Sequence, residues 1–133
     1  MRIVIDTDVF MHGFTNPDCV SAEILKMLLN SDFTLLFDLR ILNEYRGVLR
    51  YGKFNFSKDA VNSIVEFIEA MGECVLTKPL TAEFKDDGKI KFYEVTICGK
   101  ADYLITLDKK HFPDEKFIVN PSEFIKYFVR ENI

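Results

Sequence analysis

The sequence predicts an α/β fold, a three-layer α/β/α sandwich with a central parallel sheet. Three observations predict it. The apolar runs Ile3–Ile5, Phe33–Phe37 and Asp102–Thr106 are largely continuous rather than alternating, as in strands covered on both faces. The stretches between them carry apolar residues three or four apart, the spacing of helices with one buried face. Strand and helix alternate along the chain, which is how parallel sheets are connected. At 133 residues the chain reads as one domain, 1–133, large enough for a real core.

The elements follow in order. Ile3, Val4 and Ile5 form a strand that ends in Asp6-Thr7-Asp8, and carboxylates at the tip of a buried strand need water, a cation or another partner. Met11 to Pro17 reads as a loop because it holds Gly13, Asn16 and Pro17. Asp18 then caps a helix to about Asn30, with Val20, Ile24, Met27 and Leu28 inward. Phe33–Phe37 is the second strand. A helix from Leu39 to about Arg50 follows, with Ile41, Tyr45, Val48 and Leu49 as its stripe and Glu44 on that stripe. A glutamate on an inward face is unusual.

Gly52 and Lys53-Phe54-Asn55-Phe56 form a connection. Ser57 caps a helix to about Gly72, with Val61, Ile64, Val65, Ile68 and Met71 inward. Cys74–Thr77 is a short strand that Pro79 ends. Lys85-Asp86-Asp87-Gly88-Lys89 is a polar turn before a helix from Ile90 to Cys98, with Gly99 as its C′ residue. Asp102–Thr106 is a strand ending at Asp108, so the opening device recurs: an acid at the tip of an apolar strand. Phe117–Val119 is the last strand. Asn120-Pro121-Ser122-Glu123 opens the final helix, with Phe124, Ile125, Phe128 and Val129 docking it.

Composition narrows the function. A net charge of −4 argues against gripping nucleic acid by bulk charge, though not against a local basic rim. Cys19, Cys74 and Cys98 are odd in number and far apart, which suits reduced thiols in a cytoplasmic protein. No apolar run is long enough to span a bilayer, so no membrane partner is expected. Phosphate-loop, dinucleotide and serine-hydrolase motifs are missing, as is any zinc-type Cys/His cluster. What remains is Asp6, Asp8, Glu44 and Asp108, brought by separate segments. Oxygen-only ligands of this kind favour Mg²⁺ or Mn²⁺, which mainly serve phosphoryl chemistry. Arg46, Arg50, Lys53, Lys109 and Lys110 would rim such a site and guide phosphates. His12 and His111 read as surface residues.

The stretches RIVIDTDVF, ILNEYRGVLRYGKF, KFYEVTICGKADYLITLDKKHFP and KFIVNPSEFI resemble the PIN-domain ribonucleases, most closely the toxin components of toxin–antitoxin pairs. The resemblance covers nearly the full length. It implies metal binding by Asp6, Glu44 and Asp108, support from Thr106, and Asp8 where the family usually has Asn. Asp102 would be peripheral. It further implies Mg²⁺- or Mn²⁺-dependent hydrolysis of RNA by a metal-bound water, an antitoxin partner and a homodimer.

One departure concerns the family's acid at the start of the helix beginning near Ile90. Counting back from Phe92 gives Ile90 or Lys89, neither a metal ligand. Three readings stand: Asp87 reaches the site through Gly88; Glu94 substitutes from one turn down, against its preferred reading as a structural acid; or Lys89 stands where a metal would be. The last makes a weakened or inactive domain that binds an antitoxin-like partner or RNA. IVIDTDVF also resembles the strand end of haloacid-dehalogenase-type phosphatases, but the later lysine and acids do not arrive in that family's order.

Overall fold

The structure is a computed structural model that describes residues 1–51, 56–80, 84 and 87–132. Its elements are β1 (Arg2–Ile5), α1 (Thr7–Thr15), α2 (Val20–Leu29), β2 (Thr34–Phe37), α3 (Leu39–Tyr51), α4 (Lys58–Met71), β3 (Glu73–Cys74), α5 (Ile90–Cys98), β4 (Tyr103–Ile105), β5 (Ile118–Val119) and α6 (Pro121–Asn132). The five strands form one all-parallel sheet in the order β3-β2-β1-β4-β5. Helices cover it, giving the α/β/α arrangement that alternating strands and helices predict. No helix among the described residues is long and apolar enough to cross a membrane.

β1 is central for a physical reason. Ile3, Val4 and Ile5 are fully buried, each contributing about 1.5–3 kcal/mol relative to exposure. Strand order runs outward from β1 in one direction through β2 and β3, then reverses through β4 and β5. The reversal lies between β1 and β4, and in open parallel sheets a crevice forms beyond the strand ends at such a point. Ile5 pairs with Ile105, so Asp6 and Thr106 leave the sheet side by side there. The Asp6 N–H donates to the Ile105 carbonyl at 2.9 Å.

Several local expectations change. Met11 to Pro17 is not all loop: the chain turns directly from β1 into α1, which runs to Thr15. Gly13 signals close packing rather than a turn, since a Cβ there would meet Leu25 Cδ1 at 2.6 Å. Asn16 and Pro17 mark where α1 stops. The cap of α2 is Cys19, not Asp18; its thiol accepts from the Ala22 N–H at 3.4 Å. Val20, Met71 and Val129 are exposed rather than inward, each at or near the end of its helix. β3 is only Glu73–Cys74, earlier and shorter than expected. Gly99 closes α5, but the left-handed residue is Lys100 (φ 53°). Gly99 is needed for space, because a Cβ would meet the Val95 carbonyl at 2.8 Å and Leu36 Cδ1 at 2.9 Å. Most of the Gly52–Phe56 connection lies outside the described residues, as do Lys85 and Asp86.

Candidate functional site at the β1–β4 crevice

Asp6 stands first beyond β1 and is fully buried. Its Oδ2 accepts from the Thr106 hydroxyl at 2.8 Å and from Lys89 Nζ at 2.7 Å. Its Oδ1 is buried with no hydrogen-bond partner among the described residues. Thr106, itself fully buried, also accepts the Asp108 N–H at 3.0 Å, so one hydroxyl ties the Asp6 carboxylate to the turn carrying Asp108. The Asp108 carboxylate lies 3.5 Å from His111 Nε2, in the short 3₁₀ turn Lys109–His111.

Glu44 projects from α3, which Asp38 begins by accepting the Ile41 N–H at 3.0 Å. Glu44 Oε1 meets Lys91 Nζ at 2.7 Å, and Oε2 accepts from the Thr7 hydroxyl. The next residue, Tyr45, is fully buried and donates to the Ile5 carbonyl, which locks α3 onto β1 directly beneath Asp6. Burial, then the charges of Asp6 and Glu44, push the Tyr45 phenol well above its ordinary value, so it remains a donor.

Asp8, on the first turn of α1, accepts the Leu107 N–H at 3.4 Å. Burial first, and the Asp6 charge second, raise its pKa to about 6. Asp8 therefore holds its proton more tightly folded than unfolded. Between about pH 4 and pH 6 folding takes up a proton, and stability falls as pH rises through that window. Asp8→Asn should flatten this slope in urea titrations and leave the protein about 1–2 kcal/mol more stable at pH 7, part of the full effect being screened by water around a half-buried group. An unchanged slope would show that Asp8 does not carry it.

Lys89 and Lys91 come from the start of α5. Lys91 Nζ also donates to the Gly88 carbonyl at 2.6 Å and lies 5.2 Å from the centre of the Phe92 ring. Burial of Lys89 works against its charge. The hydrogen bond to Asp6 and the charges of Asp6, Asp8 and Asp108 outweigh it, and the ammonium pKa lies above its ordinary value.

The other candidates lie apart. Asp87 is exposed in the 3₁₀ turn Asp87–Lys89. Glu94 is buried but accepts from Arg40 at 2.8 Å and from the Leu80 N–H at 3.0 Å; with Asp38 it forms a clamp at the end of β2. Asp102 lies at the opposite end of β4 and accepts the Arg2 N–H at 2.8 Å. Of the rim candidates, Arg46 turns to Glu69, Arg50 to Asn62 and Lys109 to Glu123, while Lys110 is exposed. Lys53 is outside the described residues. Thr7, Lys91 and the Tyr45 hydroxyl were not singled out from sequence. Their roles depend on which segments meet in space, although each is a chain neighbour of a residue that was or lies two positions from one: Thr7 beside Asp6, Tyr45 beside Glu44, Lys91 near Lys89.

The family model for the PIN domain matches residues 2–110. The chain belongs to the PIN domain family. No curated protein matches it. PIN domains are a nuclease-type fold that generally uses divalent metals, and the crevice is where such an ion would sit. The donor chemistry is of the right kind, hard carboxylate oxygens. The arrangement is not: among the described residues no three acids, histidines or cysteines are grouped to hold a metal. Ammonium groups sit against Asp6 and Glu44 instead. As arranged, these residues do not fit a divalent ion.

Proposed function

We propose that this PIN domain binds RNA at the β1–β4 crevice without hydrolysing it. The observation that carries the reading is Lys89 Nζ at 2.7 Å from Asp6 Oδ2, a cation of the chain's own on the acid that leads the family's metal site. Exposed Lys110, beside the crevice on the turn after β4, supplies a contact for a phosphate backbone that the acids would otherwise repel. An antitoxin-like protein partner, a homodimer and a cytoplasmic setting belong to the same proposal. Three free cysteines, Cys74 among them exposed, agree with a reducing compartment.

A second reading is the metal-dependent ribonuclease toxin. It is favoured by Asp6 Oδ1, a buried acceptor with no partner among the described residues, as a carboxylate awaiting a cation would be.

Fluorescence anisotropy with single-stranded RNA, beside gel assays in Mg²⁺ and in Mn²⁺, separates the two. The first reading expects salt-dependent binding, weakened several-fold by Lys110→Glu, and intact RNA throughout. Wild-type cleavage that needs divalent metal and vanishes in Asp6→Asn would replace it with the second. Failure to bind RNA at low salt would remove RNA from the proposal.

A further inference from the structure

We propose that Lys89 and Lys91 are the resident cation of this site: their two ammonium groups, seated on Asp6 and Glu44, provide the charge of one divalent ion and hold the acidic end of the sheet together without metal. This deepens the reading above and rests on it.

Asp6, Asp8 and Asp108 gather around Lys89 at neighbouring strand and helix ends, and Glu44, from the middle of α3, joins them through Thr7; carboxylates in such numbers repel unless a cation lies among them. Lys89 approaches to 2.7 Å of Asp6, and Lys91 to 2.7 Å of Glu44. Neither ammonium is a loose surface charge. The Lys89 and Lys91 side chains are only 17% and 16% exposed, and Lys91 is further fixed by the Gly88 carbonyl and the Phe92 ring.

Their position on α5 makes the same point from the opposite direction. Lys89 is the N-cap and Lys91 lies in the first turn, with no acid there. The positive end of a helix dipole disfavours cations at that place. Local helix preference therefore opposes both lysines, and the acids facing them supply the compensation. One Lys–acid contact alone would leave either Asp6 or Glu44 without its cation. With two lysines on the same short segment, the charge balance of an ion is reached by side chains covalently tied to the fold.

The test measures metal binding and thermal stability without RNA, using Mn²⁺ and EDTA. Wild type should show no saturable Mn²⁺ heat by calorimetry and the same Tm in EDTA as in millimolar Mn²⁺. Lys89→Asp should create a saturable site, at least about tenfold tighter than any wild-type binding, with Tm rising as Mn²⁺ is added. Lys89→Asp combined with Asp6→Asn should lose that response. If Lys89→Asp fails to fold, Lys89→Gln serves: its Tm in EDTA should fall below wild type and recover in Mn²⁺. Saturable wild-type binding with a Tm gain as large as the variant's would overturn the proposal. So would Lys variants that gain no Mn²⁺ response. RNA cleavage by wild type bears on the functional reading and is scored in a separate assay.

Discussion

Lys89→Met should destabilise the protein by about 3–5 kcal/mol at neutral pH, far more than loss of a surface ion pair. Asp6 is fully buried, so its charge receives little help from water. Among the described residues its Oδ1 has no partner, and only Lys89 and the Thr106 hydroxyl reach Oδ2. Removing the ammonium leaves a buried carboxylate with one neutral donor, and breaking a buried pair from one side typically costs this much. Arg46–Glu69 is the internal contrast. Its side chains are 33% and 50% exposed, and Arg46→Met should cost about 1 kcal/mol or less. Adding Asp6→Asn to Lys89→Met removes the stranded charge and should recover more than half of the loss. Urea denaturation of the single and double variants reads this directly as a coupling energy. A Lys89→Met loss below about 1 kcal/mol, or no recovery in the double variant, would mean that Asp6 is not held by Lys89.

The sequence carries the sheet clearly because its strands are apolar runs with turn residues around them, and burial of Ile3–Ile5, Leu35–Phe37 and Leu104–Ile105 needs no further context. The tips were legible for the same reason, since Asp6 and Asp108 interrupt such runs. Lys89 became suspect only by counting back from Phe92 against a family pattern. α1 departs from the loop that its sequence suggests because Gly13 normally punctuates a turn, whereas here its missing side chain admits Leu25 of α2. That close approach is a tertiary fact with no local signature. Thr7 and Lys91 are similar: each is an ordinary polar residue until α1, α3 and α5 meet around Glu44. Glu94 shows the reverse error available to sequence reasoning. A buried acid on the right helix could pass for a ligand, but Arg40 and the Leu80 N–H account for it.

Phe92→Ala should produce a loss of similar size, about 3–5 kcal/mol, through packing instead of charge. Phe92 is fully buried, and its ring centre lies 6.5 Å from that of Tyr45, which in turn stacks at a tilt on Phe10 at 4.6 Å. These three rings join α5, α3 and α1 beneath the crevice. Truncation removes the ring's transfer free energy and leaves a cavity that the neighbouring Tyr45 cannot fill, because its hydroxyl is committed to the Ile5 carbonyl. The Lys91 ammonium also loses the ring beneath it. Phe92→Leu keeps much of the volume and should cost roughly 1–2 kcal/mol, which distinguishes cavity formation from loss of aromatic contact. The damage should also be local: amide exchange in α5 should accelerate more than exchange in β2, since Phe92 and Val95 are the buried apolar residues of α5 while β2 keeps its neighbours β1 and β3. Uniform acceleration across the fold would show instead that α5 and the sheet open as a single unit, and that the lysines at its start cannot leave the acids without global unfolding.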